Sequence, residues 1–262
     1  MNLPHRLDRT VVIQAAPQTV FSFFTENDRW ASWWGTGSTI EPTRGGRVFI
    51  RHPNGIESSG EVVEVLPPTR IVFTYGFNSG SPIPPGSSRV TINLERQGLG
   101  TRLDLLHEFA EPGPRDEHVQ GWRYQLSLFG NVVADFVNVR AADAVDTWFG
   151  AWSETSEDTR RQQLATIASP DVRFRDRFSL LDGLDDLVPH ISATQRFMPG
   201  MHLRRQGDVR HCQGTLLADW VAVATDGGER GKGTNVFVLR PDGLIESVTG
   251  FWAPPKPKPS GT

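Results

Sequence analysis

The sequence predicts a chain of two consecutive α+β domains, each a curved antiparallel sheet folded over helices to enclose a small cavity. The first observation is length, because 262 residues suit two domains of ordinary size better than one large domain. The second is that each half carries short strand patterns joined by tight turns, which pair antiparallel. The third is that helical patterns close the first half and open the second. We expect domains at residues 5–137 and 141–253, followed by a disordered, Pro-rich tail at residues 254–262.

The composition is that of a globular protein and argues against several classes of partner. Hydrophobic residues make up 37% and charged residues 22% of the chain, a balance typical of globular domains. The net charge of −3 gives no electrostatic reason to expect binding to nucleic acid or to a membrane. No stretch approaches the ~20 apolar residues that span a bilayer, and the N-terminus lacks the apolar segment of a signal peptide. Cys212 is the single cysteine, which rules out an intramolecular disulfide and suits a cytoplasmic protein.

The first half is predicted as a strand, a helix, five further strands and a long closing helix. Residues 10–14 form a β-branched strand, and Pro17 suits the first turn of the helix that follows. We expect that helix to end near Asn27, before a loop that carries three tryptophans. Alternation and turn signals place the five strands at residues 47–52, 59–66, 70–77, 88–97 and 101–109. The closing helix covers residues 116–134, where Gly121 is expected to allow close approach to a neighbouring element.

Six segments of this half occur in the order found in a known superfamily. They are AAPQTVFSFFT, WASWWG, TRGGRVFIRHPNG, GEVVEVLPPTRIVFTY, SSRVTINLERQGLGTRLDLLHEF and HVQGWRYQLSLFGNVV. Together they resemble the START/Bet v 1-like (SRPBCC) superfamily, in the branch of the activator of Hsp90 ATPase homologues. The resemblance implies a helix-grip domain, in which a curved antiparallel sheet around a long C-terminal helix leaves a cavity. It does not cover the separate domain that docks on the chaperone, so we do not expect Hsp90 activation.

Seven side chains of the first half are expected to face this cavity and to bind a ligand. They are Trp34, Phe49, Tyr75, Phe77, His107, Trp122 and Phe129. Alternation places His107 on the inward face of its strand, and a neutral core histidine is a better interpretation than a catalytic one. No second histidine or carboxylate stands at metal-ligand spacing from it, so we expect neither a metal nor another cofactor.

The second half is predicted as three helices, with a strand between the second and the third, followed by four strands. Asp143 and Ser156 are the expected N-caps of the first two helices, and the third covers residues 184–197. The last four strands are expected at residues 201–208, 209–225, 233–240 and 244–252, with a break near Gly214 in the second of them. The earlier strand, at residues 172–178, places Asp176 on its inward face beside Phe174 and Phe178, which is unusual for a carboxylate.

Three segments of this half carry a second resemblance. They are AWSETSEDTRRQQLATIASPDVRFRDRF, DGLDDLVPHI and GTNVFVLRPDGLIESVTGFW. Over about residues 142–252 they resemble the SnoaL-like branch of the nuclear transport factor 2-like (NTF2-like) proteins. The resemblance implies an α+β cone, and a homodimer that forms through this domain. It names no chemistry, because the group contains enzymes, binding proteins and transport factors.

The ketosteroid isomerases share this cone, and their site residues can be compared with this sequence. Asp176 matches their general base. Trp152 and Asn235 stand where those enzymes have the tyrosine and the protonated aspartate of the oxyanion hole. Indole and amide N–H groups can donate hydrogen bonds, but they reproduce neither a phenol nor a carboxylic acid. A structural role for Asp176, as a cap or in an ion pair with a flanking arginine, stays open.

The residues therefore leave three functions open. The first is binding of a small, largely apolar molecule in one or both cavities, with no chemistry assigned. The second is a cofactor-independent isomerase or cyclase, in which Asp176 is the general base on a polyketide- or steroid-like substrate. The third is a protein-interaction or chaperone-accessory module. The candidate ligand-binding residues of the second half are Trp152, Phe174, His211, Trp220 and Asn235. Neighbours in a strand point to opposite faces, so His211 cannot activate Cys212, which we expect in the core.

Overall fold

A computed structural model describes residues 2–253 of the chain. The tail predicted at residues 254–262 lies outside the described residues. The chain divides between Val137 and Asn138 into two compact units, which we call the N-terminal and the C-terminal unit. Each unit combines helices with one large sheet, which confirms the predicted α+β class. Among residues 2–253, no helix is long and apolar enough to cross a membrane.

The sheet of the N-terminal unit has seven strands. They are β1 His5–Ile13, β2 Thr39–Ile40, β3 Arg47–Arg51, β4 Glu57–Leu66, β5 Arg70–Tyr75, β6 Ser88–Gln97 and β7 Gly100–Phe109. All neighbours pair antiparallel in the order β1-β7-β6-β5-β4-β3-β2. The five strands predicted after the tryptophan segment are confirmed, while the two-residue β2 gave no signal in the sequence. Pairing of β1 with β7 brings the first strand beside the last, so that the helices between them lie over the sheet.

Three helices accompany this sheet: α1 Pro17–Ser22, α2 Asn27–Trp34 and α3 Pro112–Val137. The predicted tryptophan loop is wrong, because those residues form α2. Its three tryptophans stand at positions i, i+3 and i+4, and all three are buried. The long closing helix is confirmed as α3, which packs against β1, β7 and α2. On its inner side Phe129 contacts Trp33 and Phe24 with ring centroids 4.9 and 5.1 Å apart, so this end of the unit is filled by side chains.

The C-terminal unit has three helices and a six-stranded sheet. The helices are α4 Ala141–Ala151, α5 Glu157–Ile167 and α6 Leu184–Phe197. The strands are β8 Ala168–Arg175, β9 Leu180–Asp182, β10 His202–Cys212, β11 Thr215–Val223, β12 Glu229–Leu239 and β13 Ile245–Trp252. Their order in the sheet is β10-β11-β12-β13-β8-β9, and β13 pairs with β8 in parallel. This is the order of elements that the cone resemblance implies.

The predicted helix caps have different outcomes. The Ser156 hydroxyl accepts a hydrogen bond from the Thr159 backbone N–H at 3.3 Å, which confirms it as the N-cap of α5. Asp143 is not a cap, because α4 begins two residues earlier at Ala141 and Asp143 lies in its first turn. There an acidic side chain is favourable through the helix dipole, which explains the helix-start signal.

The first hairpin of the C-terminal meander turns at the break expected near Gly214, but the strand end expected at residue 208 is wrong. The strand β10 continues to Cys212, with a register shift between Gln206 and Arg210, where the sequence suggested a strand end. The turn itself is formed by Gln213 and Gly214, with φ angles of 47° and 82°. Two consecutive positive φ values match the two-residue turns that connect tightly twisted strands. Cys212 at the end of β10 is exposed, so its expected place in the core is wrong.

Candidate functional site

The N-terminal unit contains a cavity of about 490 Å³ between the sheet and the helix α3. Ligand-binding pockets have volumes of roughly 300–1,000 Å³, so this cavity has the size for a small organic molecule. Seven of its fourteen lining residues are aromatic or histidine side chains: Trp34, His52, Tyr75, Phe77, His118, Trp122 and Tyr124. Four of the seven predicted residues, Trp34, Tyr75, Phe77 and Trp122, are therefore brought together around one space.

Trp122 is held in the cavity wall by a chain of hydrogen bonds behind it. Its indole N–H donates to Nδ1 of His107 at 2.9 Å, and Nε2 of His107 lies 2.8 Å from the Ser88 hydroxyl. The Ser88 hydroxyl donates to the Tyr75 carbonyl at 2.7 Å. An indole N–H can only donate, so Nδ1 of His107 is the acceptor and Nε2 carries the proton. Every polar atom in this chain is satisfied.

His107 is therefore a positioning residue and does not line the cavity. Its side chain is fully buried, and burial, with a smaller contribution from His118, holds its pKa well below the usual value. The interpretation as a neutral core histidine agrees with this geometry. Its partners are two side chains, Ser88 and Trp122, rather than a backbone carbonyl.

Two further predicted residues do not line the cavity. Phe129 packs in the filled end of the unit, and its ring is fully buried. Phe49 lies on the opposite face of β3 from the buried Val48 and Ile50. There the guanidinium of Arg47 stands 5.1 Å from the centre of its ring. The expectation for Phe49 is wrong because Phe49 shares its face of β3 with the exposed Arg47 and Arg51, while Val48 and Ile50 form the inner face.

Two histidines of the wall, His52 and His118, gave no signal in the sequence analysis. Burial lowers the pKa of each, and for His52 the neighbouring His118 lowers the pKa further. Nε2 of His52 lies 3.2 Å from the Ser58 hydroxyl, which also contacts the Tyr75 hydroxyl at 3.2 Å. Burial raises the pKa of Tyr75 to about 12. At neutral pH these three side chains present an uncharged surface.

Gly121 also lies in the cavity wall, and its role differs from the expectation. The sequence suggested that this glycine allows a close approach to a neighbouring element. A Cβ atom at this position would meet no atom within 4 Å, so no element approaches it closely. The absence of a side chain here leaves space in the cavity instead.

The C-terminal unit contains a second, smaller and more enclosed cavity of about 120 Å³. An apolar cavity of about 150 Å³ is large enough to bind benzene, so this one suits a single small ring. Five predicted residues line it: Trp152, Phe174, Asp176, Trp220 and Asn235. Trp152 follows α4, Phe174 and Asp176 come from β8 and its end, and Trp220 and Asn235 are on β11 and β12.

The Asp176 carboxylate is half-buried and accepts two hydrogen bonds. The Phe178 backbone N–H donates to one oxygen at 2.8 Å, and the Trp252 indole N–H donates to the other at 3.1 Å. No ion pair of Asp176 with Arg173, Arg175 or Arg177 is found among the described residues. Alternation suggested that Phe178 covers the carboxylate, and this is wrong. The strand β8 ends at Arg175, and Phe178 is 71% exposed.

Asn235 and Asp176 face each other across Gly250 of β13. Asn235 pairs with Gly250, and a Cβ on Gly250 would stand 3.2 Å from both the Asn235 carbonyl oxygen and the Asp176 Cβ. Glycine at this position keeps the space between the two side chains open. The Asn235 carbonyl oxygen accepts a hydrogen bond from the Trp220 indole N–H at 2.9 Å, which fixes the orientation of the amide. The Trp152 indole N–H is buried and has no hydrogen-bond partner among the described residues.

His211 is not brought to this site. It lies beside the β10–β11 turn, where its Nε2 accepts a hydrogen bond from the Gly214 backbone N–H at 2.9 Å. It is absent from the lining of the C-terminal cavity. The expectation for His211 assumed that β10 ended several residues earlier, whereas His211 is the next-to-last residue of this strand, beside the turn.

The sequence analysis missed Arg160, which holds the helical side of this cavity. Its guanidinium is fully buried in α5, and all five of its N–H donors have acceptors. The acceptors are the carbonyls of Ala151, Glu154 and Val188, the Ser192 hydroxyl and the Gln195 side-chain carbonyl. The Gln195 amide in turn donates to the Trp152 carbonyl at 2.9 Å. Arg160 therefore fixes Gln195 and Trp152, two residues of the cavity wall.

Among residues 2–253, no group of three or more histidine, cysteine, aspartate or glutamate side chains is placed to hold a metal ion. The polar groups in both cavities are mainly indole, imidazole, hydroxyl and amide groups, which suit hydrogen bonding to an organic molecule.

Comparison with protein families bears on the N-terminal unit. Residues 14–134 match the family model described as Activator of Hsp90 ATPase homolog 1-like protein. This segment is therefore a domain of that family, as the resemblance implied. No curated protein matches the chain.

Several solved structures are similar to part of this chain. A protein of the SnoaL-like family from Agrobacterium tumefaciens is 23% identical, with 43% of this chain and 97% of that chain covered and a TM-score of 0.42. The Aha1 dimer from Colwellia psychrerythraea is 16% identical, with 47% and 90% covered and a TM-score of 0.41. Protein MLL2253 from Mesorhizobium loti is 20% identical, with 49% and 96% covered and a TM-score of 0.45. These similarities assign no activity to the chain.

Proposed function

We propose that this protein binds a small, largely apolar molecule in the cavity of its N-terminal unit. The observation that carries the proposal is the cavity itself, a space of about 490 Å³ whose wall includes five aromatic and two histidine side chains. Burial of apolar ligand surface against such a wall contributes roughly 25 cal/mol per Å². The hydrogen-bond chain through His107 keeps Trp122 in place, so the wall is formed before a ligand arrives.

The charges around the cavity favour a neutral ligand. No lysine or arginine belongs to the lining that the structure describes, and Glu117 is its single acidic residue. His52 and His118 are uncharged at neutral pH, because burial lowers the pKa of both. A carboxylate or phosphate ligand would therefore lose its hydration without gaining a cationic partner.

The test places a larger side chain in the cavity by substitution of Gly121. In Gly121→Leu, a leucine side chain occupies the open space at this position, and removal of a helical glycine favours the helix by about 0.8–1 kcal/mol. We expect the affinity for the neutral dye N-phenyl-1-naphthylamine to fall at least tenfold, with no loss of thermal stability. Gly150→Leu is the matched control, because Gly150 is also helical, also has open space around its Cβ, and lines neither cavity. Equal dye affinity in both variants would contradict the proposal.

A second candidate function belongs to the C-terminal cavity. We propose proton transfer at carbon next to a carbonyl group, with Asp176 as the base. The support is that Asp176, Asn235 and Trp152 line one enclosed space, and that the Trp152 N–H has no partner among the described residues. In a β,γ-unsaturated carbonyl compound, the carboxylate takes the α proton and returns it at the γ carbon, so that the double bond moves to the α,β position. The Trp152 N–H is a donor that can stabilise the charge developing on the carbonyl oxygen.

The test for this candidate uses 3-cyclohexenone, a single ring suited to the size of the cavity. We expect isomerisation to 2-cyclohexenone, followed by ultraviolet absorbance, in the native protein. Asp176→Asn should abolish turnover with only a small fall in melting temperature, because the amide keeps the shape of the side chain but can accept only one of the two hydrogen bonds. Turnover that survives the substitution, or its absence in the native protein, would remove the candidate.

The homodimer expected through the C-terminal domain and the role as an interaction module stay predictions. Sedimentation equilibrium over a hundredfold range of concentration tests the dimer directly. A single mass equal to that of one chain throughout the range would contradict it.

A further inference from the structure

Arg230 is the one cationic side chain that the described residues contribute to the wall of the C-terminal cavity. Its side chain is 51% exposed, so a molecule from solution can reach it. One nitrogen of the guanidinium donates to the Asp226 carboxylate at 2.5 Å. The guanidinium carries five N–H donors, and no other acceptor for it is found within residues 2–253. Donors therefore remain available to a ligand in the cavity.

A β-bulge explains why Arg230 belongs to this wall. The two neighbours of Arg230 in β12 pair with consecutive residues of β11, Ala222 and Val223, so Arg230 is the extra residue of the bulge. Counted from Asn235, which lines the cavity, strict alternation would place Arg230 with Lys232 on the other face of β12. Bulges re-aim side chains and are common beside functional sites, which accounts for the position of Arg230.

A surface groove of about 380 Å³ adjoins the cavity and adds two arginines. The cavity and the groove have Asp176, Gly250 and Trp252 in common. Arg175 and Arg177 line the groove, are exposed, and form no ion pair among the described residues. Three arginines and one aspartate thus line the two spaces together, and one further aspartate pairs with an arginine. The balance of charge favours an anionic ligand.

A carboxylate on a ring is the anion that fits these walls best. A guanidinium presents parallel N–H groups in a rigid fork, which matches the two oxygens of a carboxylate. The cavity itself has the size for one ring, and its wall includes the rings of Trp152, Phe174 and Trp220. A planar carboxylate adds little volume to such a ring, whereas a tetrahedral phosphate is bulkier.

We propose that the C-terminal cavity binds a single-ring carboxylic acid in its ionised form, with the ring among the aromatic side chains and the carboxylate on Arg230. This inference rests on the proposal that the cavity takes a small ring compound, and it adds the group that the ring carries. It does not require turnover. The two cavities then differ in the charge of their ligands, because no lysine or arginine lines the described wall of the N-terminal cavity.

The experiment compares two acids with their amides, which have nearly the same shape and no charge. Benzoate and benzamide form the first pair, and phenylacetate and phenylacetamide form a second pair with a longer reach. Binding to the full chain is measured at pH 7.5 by ligand-observed NMR titration, which detects weak binding. In at least one pair we expect the acid to bind at least tenfold more tightly than its amide, the effect of a hydrogen bond to a charged group.

Substitutions of Arg230 test whether this preference comes from its guanidinium. Arg230→Gln should lower the affinity for the acid at least tenfold and leave that for the amide unchanged. Arg230→Lys should keep part of the preference, because lysine retains the charge without the fork. Lys232→Gln is the matched control, because Lys232 lies on the same strand, is 49% exposed and pairs with Glu229 at 3.9 Å, but does not line the cavity. Its affinity for the acid should equal that of the native protein.

Three results would overturn the inference. They are equal affinities for acid and amide in both pairs, no binding of either acid, and an equal loss of acid affinity in Arg230→Gln and Lys232→Gln. The last would indicate a general effect of net charge. Melting temperatures identify any variant that fails to fold, and the exposed Arg230 tolerates substitution. Dye binding in the N-terminal cavity and isomerisation of 3-cyclohexenone are measured separately, so the failure of either proposed function is distinguished from the failure of this inference.

Discussion

Acidification should weaken the N-terminal unit through His107, and the structure gives both the direction and the size of the effect. The ring is fully buried, its Nδ1 is occupied by the Trp122 N–H, and its Nε2 faces the Ser88 hydroxyl. A second proton on this ring would displace the Trp122 hydrogen bond and place an unpaired charge in the core. Burial accordingly holds the pKa of His107 well below 6.5 in the folded protein.

The sign follows from comparing the two states. In the unfolded chain His107 takes up a proton near pH 6.5, whereas in the folded protein it stays neutral to a lower pH. Stability is therefore fully present above pH 6.5 and is lost as the pH falls towards the folded pKa. Within that window the loss is about 1.4 kcal/mol per pH unit for this one residue. His52 and His118 add to the loss with the same sign, because burial also lowers the pKa of each.

The assay is urea unfolding of the full chain and of His107→Gln at pH 7.5, 6.5 and 5.5. Glutamine does not titrate, and its carbonyl can still accept from Trp122. Between pH 7.5 and 5.5 the free energy of unfolding should fall by about 1.4 kcal/mol less in the variant than in the native protein. If the two units unfold in separate urea transitions, the transition that His107→Gln shifts is that of the N-terminal unit. Parallel pH dependence in the two proteins would refute the assignment of a neutral, buried His107.

Three further predictions concern the C-terminal unit. Arg160→Met should destabilise it by about 3 kcal/mol in urea unfolding, because several buried acceptors lose a charged donor at once. Arg161→Met, which breaks only the exposed ion pair with Asp185, should cost less than about 1 kcal/mol. Gly250→Ala should weaken 3-cyclohexenone binding severalfold with a destabilisation of about 1 kcal/mol, because its methyl group enters the space between Asn235 and Asp176. Ser156→Ala should cost about 1 kcal/mol through the lost N-cap of α5, and equal stability would show that the cap is not needed.

Elements with a regular pattern and clear end signals could be predicted from the sequence. The strand β6 at Ser88–Gln97 and the helix α6 at Leu184–Phe197 occupy the predicted residues. The helix α2 was missed although its tryptophans follow helical spacing, because Asn27 was interpreted as the end of one helix. In the structure Asn27 starts the next helix, after a turn that the sequence does not mark.

The cavity walls could be predicted only in part, because inward orientation does not decide whether a side chain borders a space or fills one. His107 and Phe129 do point inward, and both are enclosed by other side chains. Phe178 was misplaced because the strand ends at Arg175, and a strand end changes the face of every later residue. His118 and Arg160 were missed since their roles depend on partners far apart in the chain.

The eight tryptophans show how hydrogen bonding separates structural from ligand-binding roles. Five indole N–H groups have acceptors within the protein: those of Trp30, Trp33, Trp122, Trp220 and Trp252. The N–H groups of Trp34, Trp148 and Trp152 are buried and have no acceptor within residues 2–253. Trp148 lines neither of the two cavities described above, so a missing partner alone does not identify a binding site.

Trp34 and Trp152 differ from Trp148 because each also lines a cavity of its own unit. The nitrogen atom of each has almost no accessible surface, so the apolar part of the indole ring is what borders the cavity. The two rings therefore contribute apolar area to these walls, whereas Trp148 packs within the core of its unit.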